Sequence, residues 1–310
     1  MNQYDKWLGP ATEKEIGFLF SYFHFKDTDL TRMMSEMPYK PKVFVDSGGF
    51  TASYKNIKIS VDEYARFIRK HGNIIDNYAN IDEIGNATVT LRNQLKMEAL
   101  GLRPLPVIHF GTKPSELVRY HKHGYDYMCL GGLVPQVVRM VPAIRAGRSC
   151  DALDWLDECF LIAKELGIKL HGFGCTTWDI VHAYPWASID SASWAAGYMW
   201  GALMFWDLKH HRWRLVRARD PRIMRYSYTI RPYGVSPTAF IRDSSFQRAD
   251  MLQISIWSWL AAQRHENALR SEQSEQQITV YLAEVVRDNC EYAMMLITNK
   301  CTEVAHAASN

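Results

Sequence analysis

Short apolar runs alternate with amphipathic stretches over the first two-thirds of the chain, the rhythm of βα units that build a parallel sheet. The apolar runs predict strands at Gly17–Tyr22, Val43–Asp46, Asn77–Ile81, Leu105–His109, Tyr125–Leu130, Lys169–Gly172 and Trp186–Asp190, with an eighth near Tyr226–Ile230. Between them, apolar positions recur at three and four residues over Val61–His71, Ala87–Leu100, Lys113–His123 and Ala152–Leu166, which predicts helices. Ser60 with Asp62 and Glu63 behind it is a helix start, and Gly101 and Gly167 stand where helices stop. Eight such units predict an α/β fold, a single (β/α)8 TIM-type barrel whose chemistry sits at the carboxyl ends of the strands. An open doubly wound sheet is the competing arrangement.

Beyond residue 206 the rhythm changes to a basic, aromatic stretch, then to helix-like runs at Arg248–Arg270 and Glu275–Ile297. The expected organisation is a barrel core over 1–206, a basic aromatic segment over 207–248 and C-terminal helices over 249–310 that pack on the barrel.

Composition narrows the class without naming a function. With 310 residues, 47% hydrophobic and 22% charged, the chain is an ordinary globular one, which excludes collagen-like, low-complexity and wholly disordered readings. The longest uncharged stretch, Ser191–Trp206, has 16 residues and is interrupted by Gly197 and Gly201, short of the ~20 that span a bilayer. The opening residues carry acids and lack an apolar signal core, so a cytoplasmic protein is expected. Six cysteines without a C-x-x-C pair suggest free thiols. The net charge of +3 hides a segregation, because ten Lys or Arg against three acids give +7 over 207–248 and leave −4 elsewhere.

Three strands end in an aspartate: Asp46 in VFVDSGGFTAS, Asp82 in YANIDEIGN and Asp190 in WASIDSASW. Each alone fits a turn or a helix cap. Together, at the mouth of a barrel, they would converge, and burial with mutual repulsion would push their pKa values apart. Glycines follow two further strands, Gly131 and Gly132 in CLGGLVPQ and Gly172 and Gly174 in HGFGCTT, where backbone groups can meet a planar ligand or simply make a tight turn. The basic stretch interleaves Arg212, Arg214, Arg217, Arg219, Arg222 and Arg225 with Trp206, Trp213, Tyr226, Tyr228, Tyr233, Phe240 and Phe246. Arginines neutralise phosphates and aromatic faces stack on unpaired bases, which suits a strand with an extruded nucleotide; a solvated cationic face over an ordinary core is the other reading.

DSGGF, an Asp-terminated strand, GGL, a GxG turn and IDSASW, in this order over about residues 43–195, resemble the tRNA-guanine transglycosylase superfamily. Its members carry DSGGFQ, GGL, GVG and FD(S/C). The short chain is most similar to the phage-type 7-deazaguanine DNA transglycosylases, which exchange guanine in DNA for a base such as preQ0 and so shield viral DNA from host nucleases. The resemblance implies that Asp190 is the nucleophile at the sugar C1′ and Asp46 the acid/base. It also implies that Asp82 reads the N–H edge of the base, Gly131 and Gly132 meet its carbonyl and Phe50 is a stacking wall. It further implies free 7-deazaguanine as co-substrate, DNA as polymer and no cofactor. Expulsion of a purine builds positive charge on the sugar, so one carboxylate beneath C1′ and a second managing the base proton follow the retaining logic of glycosidases.

Three departures stand out. VIHFG lacks the glutamine of the family's IVQG and has His109 nearby, LHGFG places His171 where the family has a methionine, and the family's CxCxxC zinc motif is absent, so no metal is expected. His210 and His211 are read as part of the basic surface. A tRNA-guanine transglycosylase, a non-catalytic nucleic-acid-binding subunit and a sugar hydrolase remain as alternatives, and a homodimer is compatible with all of them.

Overall fold

The computed structural model describes residues 4–12, 14–36, 40–55, 57–175, 177–199, 201–217, 219–242, 248–284 and 293–297. Ten strands occur among them: β1 (Gly17–Ser21), β2 (Lys42–Asp46), β3 (Asn77–Tyr78), β4 (Val107–His109), β5 (Tyr127–Gly131), β6 (Lys169–Gly172), β7 (Ser188–Ser191), β8 (Ala202–Asp207), β9 (Arg212–Arg217) and β10 (Thr279–Glu284). Eight of these form one curled, all-parallel sheet in the order β3-β2-β1-β10-β7-β6-β5-β4, while β8 and β9 pair as a separate antiparallel hairpin. The ladder is TIM-like in its order but is not a closed ring, since β3 and β4 are its outer strands. Just past β3, Ala79 and Leu105 form a single parallel bridge, in which the Leu105 amide donates to Tyr78 O at 2.8 Å and the Asn80 amide to Leu105 O at 3.1 Å.

The eighth strand is a correction to the sequence reading. Tyr226–Ile230 is not extended: a 3₁₀ turn over Pro221–Tyr226, capped by the Asp220 carboxylate accepting from the Arg222 amide at 2.9 Å, runs into a short helix at Ser227–Ile230. The apolar and aromatic residues of YSYTI suit a strand, but the Asp-Pro start and Pro232 favour a helical turn. The strand lies instead at Thr279–Glu284, inside the stretch read as helical, and pairs with β1 on one side and β7 on the other. Its TVYLAE satisfies both a helical and an alternating pattern, and β-branched and aromatic residues decide for the strand. The segment beyond 248 therefore completes the sheet rather than only packing on it.

Apart from the two-residue β3, the sheet strands are largely buried on both faces, as a parallel sheet covered by helices requires. Phe18, Phe20, Val43, Val45, Ile108, Met128, Leu130, Leu170, Ile189, Val280 and Leu282 face the helices. The alternate positions Leu19, Phe44, Ala79, Val107, Cys129, Tyr281 and Ala283 form a second, inner cluster with Leu105 and Phe173. Because side chains alternate along a strand, two steps on from inner Phe44, Val107 and Cys129 the same face carries Asp46, His109 and Gly131. Parallel register adds Asp190 opposite Tyr281 and His171 opposite Cys129.

Helix ends follow local rules. The Ser60 hydroxyl accepts from the Glu63 amide at the start of Val61–His71, and Gly167 at φ +69° ends Asp151–Leu166 in a left-handed conformation open to glycine. The long helix Arg248–Glu272 is tied to the turn before β7 by buried Arg270, which bonds Glu266 at 2.9 Å and donates to the carbonyls of Val181, Tyr184 and Trp186.

Phe44 is the fully buried ring at the centre of the inner cluster, packed within 6 Å of His171, Phe173 and Tyr281. Phe44→Ala is expected to cost about 3–5 kcal/mol of stability in denaturant unfolding, while the outward Leu161→Ala, on an exposed helix face, stays within about 0.5 kcal/mol.

Candidate active site

The sequence DSGG folds into a turn whose parts depend on one another. Asp46 ends β2, and its Oδ2 accepts from the Gly48 amide at 2.9 Å, with Gly48 at φ +81°. Ser47 accepts from the Gly49 amide and donates to Asp82 Oδ1, both at 3.1 Å. A Cβ on Gly49 would sit 2.7 Å from both the carbonyl and the carboxylate of Asp82, so glycine is what lets the loop after β3 lean on this turn. The other oxygen of Asp82 lies 2.9 Å from His109 Nε2 at the end of β4. The His109 ring occupies the space that a side chain at Gly131 would take, since a Cβ there would be 2.7 Å from His109 Cδ2.

Across the sheet, buried Asp190 accepts at Oδ1 from the Gly174 amide at 2.7 Å and lies 3.5 Å from His171 Nε2. The three aspartates lie close enough for their charges to interact. Burial, then the charge of Asp82 and, more weakly, of Asp190, raises the Asp46 carboxyl to about 7, against the pull of the Gly48 amide. Cys129, one layer below on β5, is buried, and its thiol is pushed well up by burial and by the charges of Asp46, Asp82 and Asp190 together. A carboxyl that changes protonation near neutrality beside a second carboxylate is the equipment for moving a proton on and off a substrate while another group attacks.

The remaining expected site residues fall in different places. Phe50 stands on the first turn of the helix Gly49–Tyr54, 69% exposed at the rim rather than folded over the acids. His171 has no exposed surface: Phe44 and Phe173 lie 4.7 Å from its ring and Tyr281 6.0 Å, so a base has no access to its face. Gly132 adopts φ +75° in the turn after β5, and the Gly131 carbonyl accepts from the Phe110 amide at 2.9 Å. Two groups escaped the sequence reading. Ser188 precedes Asp190 by two residues on the same strand face, and Tyr127 lies on the neighbouring inner surface with its hydroxyl 2.5 Å from Ser188 Oγ. Strand parity is the signal that marks Ser188; nothing local marks Tyr127.

The basic segment splits into structural and free cations. Arg214 Nε lies 3.0 Å from fully buried Asp207, which also accepts from His210 Nδ1 and the Tyr228 hydroxyl, and Arg222 pairs with Asp220 at 2.6 Å. Arg212, Arg217, Arg219 and Arg225 project into solvent. Of the interleaved aromatics, Trp206, Tyr233 and Phe240 are buried, so they pack the hairpin rather than offer faces to bases; Phe246 lies outside the described residues. His211 is exposed, as a residue of the basic surface, and stacks on His265 at 4.1 Å. Cys290 and Cys301 also lie outside the described residues. No helix among the described residues is long and apolar enough to cross a membrane. Comparison with protein families, with curated proteins and with solved structures finds no match to the chain.

A carboxyl raised on folding makes stability fall as pH rises, because between the unfolded value near 3.8 and the folded value of about 7 the native state binds the extra proton. Wild-type unfolding free energy is expected to drop between pH 4 and pH 7 through Asp46 by on the order of 4 kcal/mol and then level off. Asp46→Asn removes that component, so its stability relative to wild type should be greater at pH 8 than at pH 4 in urea titrations.

Proposed function

We propose that the protein is a base-exchange transglycosylase that replaces guanine in DNA with a 7-deazaguanine through a covalent aspartyl-glycosyl intermediate. The observation that carries this reading is the gathering of Asp46 at the end of β2, Asp82 in the loop after β3 and Asp190 on β7, close enough that the charges of Asp82 and Asp190 act on Asp46 and all three act on Cys129. The same order of acids and glycines carries the resemblance to the transglycosylase superfamily. Within this reading the curled sheet is a (β/α)8 barrel whose seam between β3 and β4 is held by the Ala79–Leu105 bridge.

The chemistry divides among the acids. Asp190 attacks C1′ from one face of the sugar and holds it as an ester; Asp46, with its carboxyl at about 7, gives a proton to the departing base and takes one from the incoming base. Asp82, held between the Ser47 hydroxyl and the His109 ring, presents its carboxylate to the N–H edge of the heterocycle. His109 stands near the position of the family's glutamine, so the edge is read by a carboxylate-imidazole pair rather than by a carboxamide. Exposed Phe50 is the ring available to close over a bound base. The four projecting arginines, Arg212, Arg217, Arg219 and Arg225, neutralise the phosphates, whereas Arg214 and Arg222 serve the fold.

Incubation with single-stranded or duplex DNA and a labelled free 7-deazaguanine should place label in the DNA and yield a protein–DNA adduct on a denaturing gel, with both absent in Asp190→Ala. Label entering tRNA but not DNA would make the enzyme a tRNA-guanine transglycosylase. Binding of either polymer without label or adduct would reduce it to a binding subunit.

Replacement of Arg212, Arg217, Arg219 and Arg225 by alanine should lower DNA affinity across sequences and flatten the slope of log K against log salt by about one for each phosphate that is no longer neutralised. Unchanged salt dependence in the quadruple variant would remove this face from the interface.

A further inference from the structure

Beneath Asp190 a buried line of side chains ends at its carboxylate. Ser188 Oγ lies 2.6 Å from His171 Nδ1 and 2.5 Å from the Tyr127 hydroxyl. The second ring nitrogen of His171, Nε2, makes no hydrogen bond of ordinary length, and the polar atom it faces is Asp190 Oδ1 at 3.5 Å. His171 and Ser188 are almost wholly buried, so water does not supply missing partners.

Counting hydrogens orders this line. The Tyr127 hydroxyl is held as O–H by burial, and Ser188 Oγ is the hydrogen-bond partner it has among the described residues. A buried hydroxyl hydrogen without an acceptor costs about 1–3 kcal/mol. One arrangement places every hydrogen: Tyr127 O–H donates to Ser188 Oγ, Ser188 O–H donates to His171 Nδ1, and the ring hydrogen sits on Nε2, facing Asp190. The reverse arrangement strands the Tyr127 hydrogen and sets a nitrogen lone pair against a carboxylate oxygen.

We propose that His171 is a positioning residue, held as the Nε2–H tautomer by Ser188 and Tyr127, which with the Gly174 amide gathers two donors on Asp190 Oδ1 and leaves Oδ2 as the oxygen that bonds to the sugar. The proposal rests on the base-exchange reading and deepens it. In the first half-reaction the Oδ2–C1′ bond forms as the C1′–N bond breaks; the base keeps that electron pair and takes the Asp46 proton, and Oδ1 becomes the ester carbonyl oxygen. In the second half a nitrogen of the incoming base bonds to C1′ and passes its proton to Asp46. The C1′–Oδ2 pair returns to the carboxylate, and the charge shared onto Oδ1 is received by the two waiting donors. The line therefore acts most on release of the sugar from the enzyme, and no oxidant or reductant is needed.

Two measurements separate this proposal from the reading beneath it. In protein labelled with ¹⁵N-histidine, His171 should show a bare Nδ1 and a protonated Nε2, and Ser188→Ala should convert that pattern to a tautomer mixture. In a single-turnover chase with free guanine, the adduct of His171→Leu should decay about 10- to 100-fold more slowly than wild type, with adduct formation less affected. His171→Gln, whose side-chain amide can donate from nearly the same place, should restore much of the rate. Should His171→Leu fail to fold, Ser188→Ala carries the kinetic test, with decay slowed between wild type and the leucine variant expected. A hydrogen on Nδ1 in the wild type, or decay at the wild-type rate in the folded variant tested, overturns the proposal. A wild-type protein that forms no Asp190-dependent adduct overturns the base-exchange reading instead, while the tautomer is still decided by the nitrogen spectrum.

Discussion

Carboxylates repel one another, and the repulsion grows when water is withdrawn from between them. The structure gathers three of them at one end of a parallel sheet, and much of its architecture serves to hold them there. Beneath the acids lies a dry layer of Phe44, Cys129, Phe173 and Tyr281, which sets the inner surface and keeps water from reaching the acids from below. Around them each acid has its own donors: the Gly48 amide for Asp46, the Ser47 hydroxyl with the His109 ring for Asp82, and the Gly174 amide for Asp190. Donors that differ in kind and number let three chemically identical side chains behave differently. Burial and the charges of its two neighbours drive the Asp46 carboxyl to about 7.

The same logic explains the glycines. At Gly49 and Gly131 the absent side chain is replaced by a functional neighbour, the Asp82 carboxylate in one case and the His109 ring in the other. These positions bring backbone and site side chains closer than any other residue would allow. The basic hairpin shows the complementary arrangement, in which buried Asp207 organises Arg214, His210 and Tyr228 while Arg212 and Arg217 project into solvent.

Much of this was legible in the chain because parallel strands with apolar residues on both faces are short, dense runs, and an acid at the end of such a run has few places to go. Seven strands and the strand-end positions of Asp46 and Asp190 follow from that pattern, whereas β3 stops at Tyr78 and leaves Asp82 in the loop that follows, four residues beyond the strand. β10 was not legible, since TVYLAE satisfies helical and extended periodicity alike and its place between β1 and β7 depends on pairings across more than 80 residues. Nor was the enclosure of His171: sequence places it near the mouth, but only register shows three aromatic rings closing around it. The interleaving of Arg with Trp and Tyr over 207–248 looked like a surface for bases, whereas hairpin packing claims Trp206, Tyr233 and Phe240.

Asp46, Asp82 and Asp190 feel one another's charge, and a ¹³C titration of the Asp46 carboxyl reads that coupling. A midpoint near 7 is expected in the wild type, moving down by a unit or more in Asp82→Asn and by less in Asp190→Asn, in line with about 1.4 kcal/mol per unit of lost repulsion. A wild-type midpoint near 4, or one unmoved by either substitution, would contradict it.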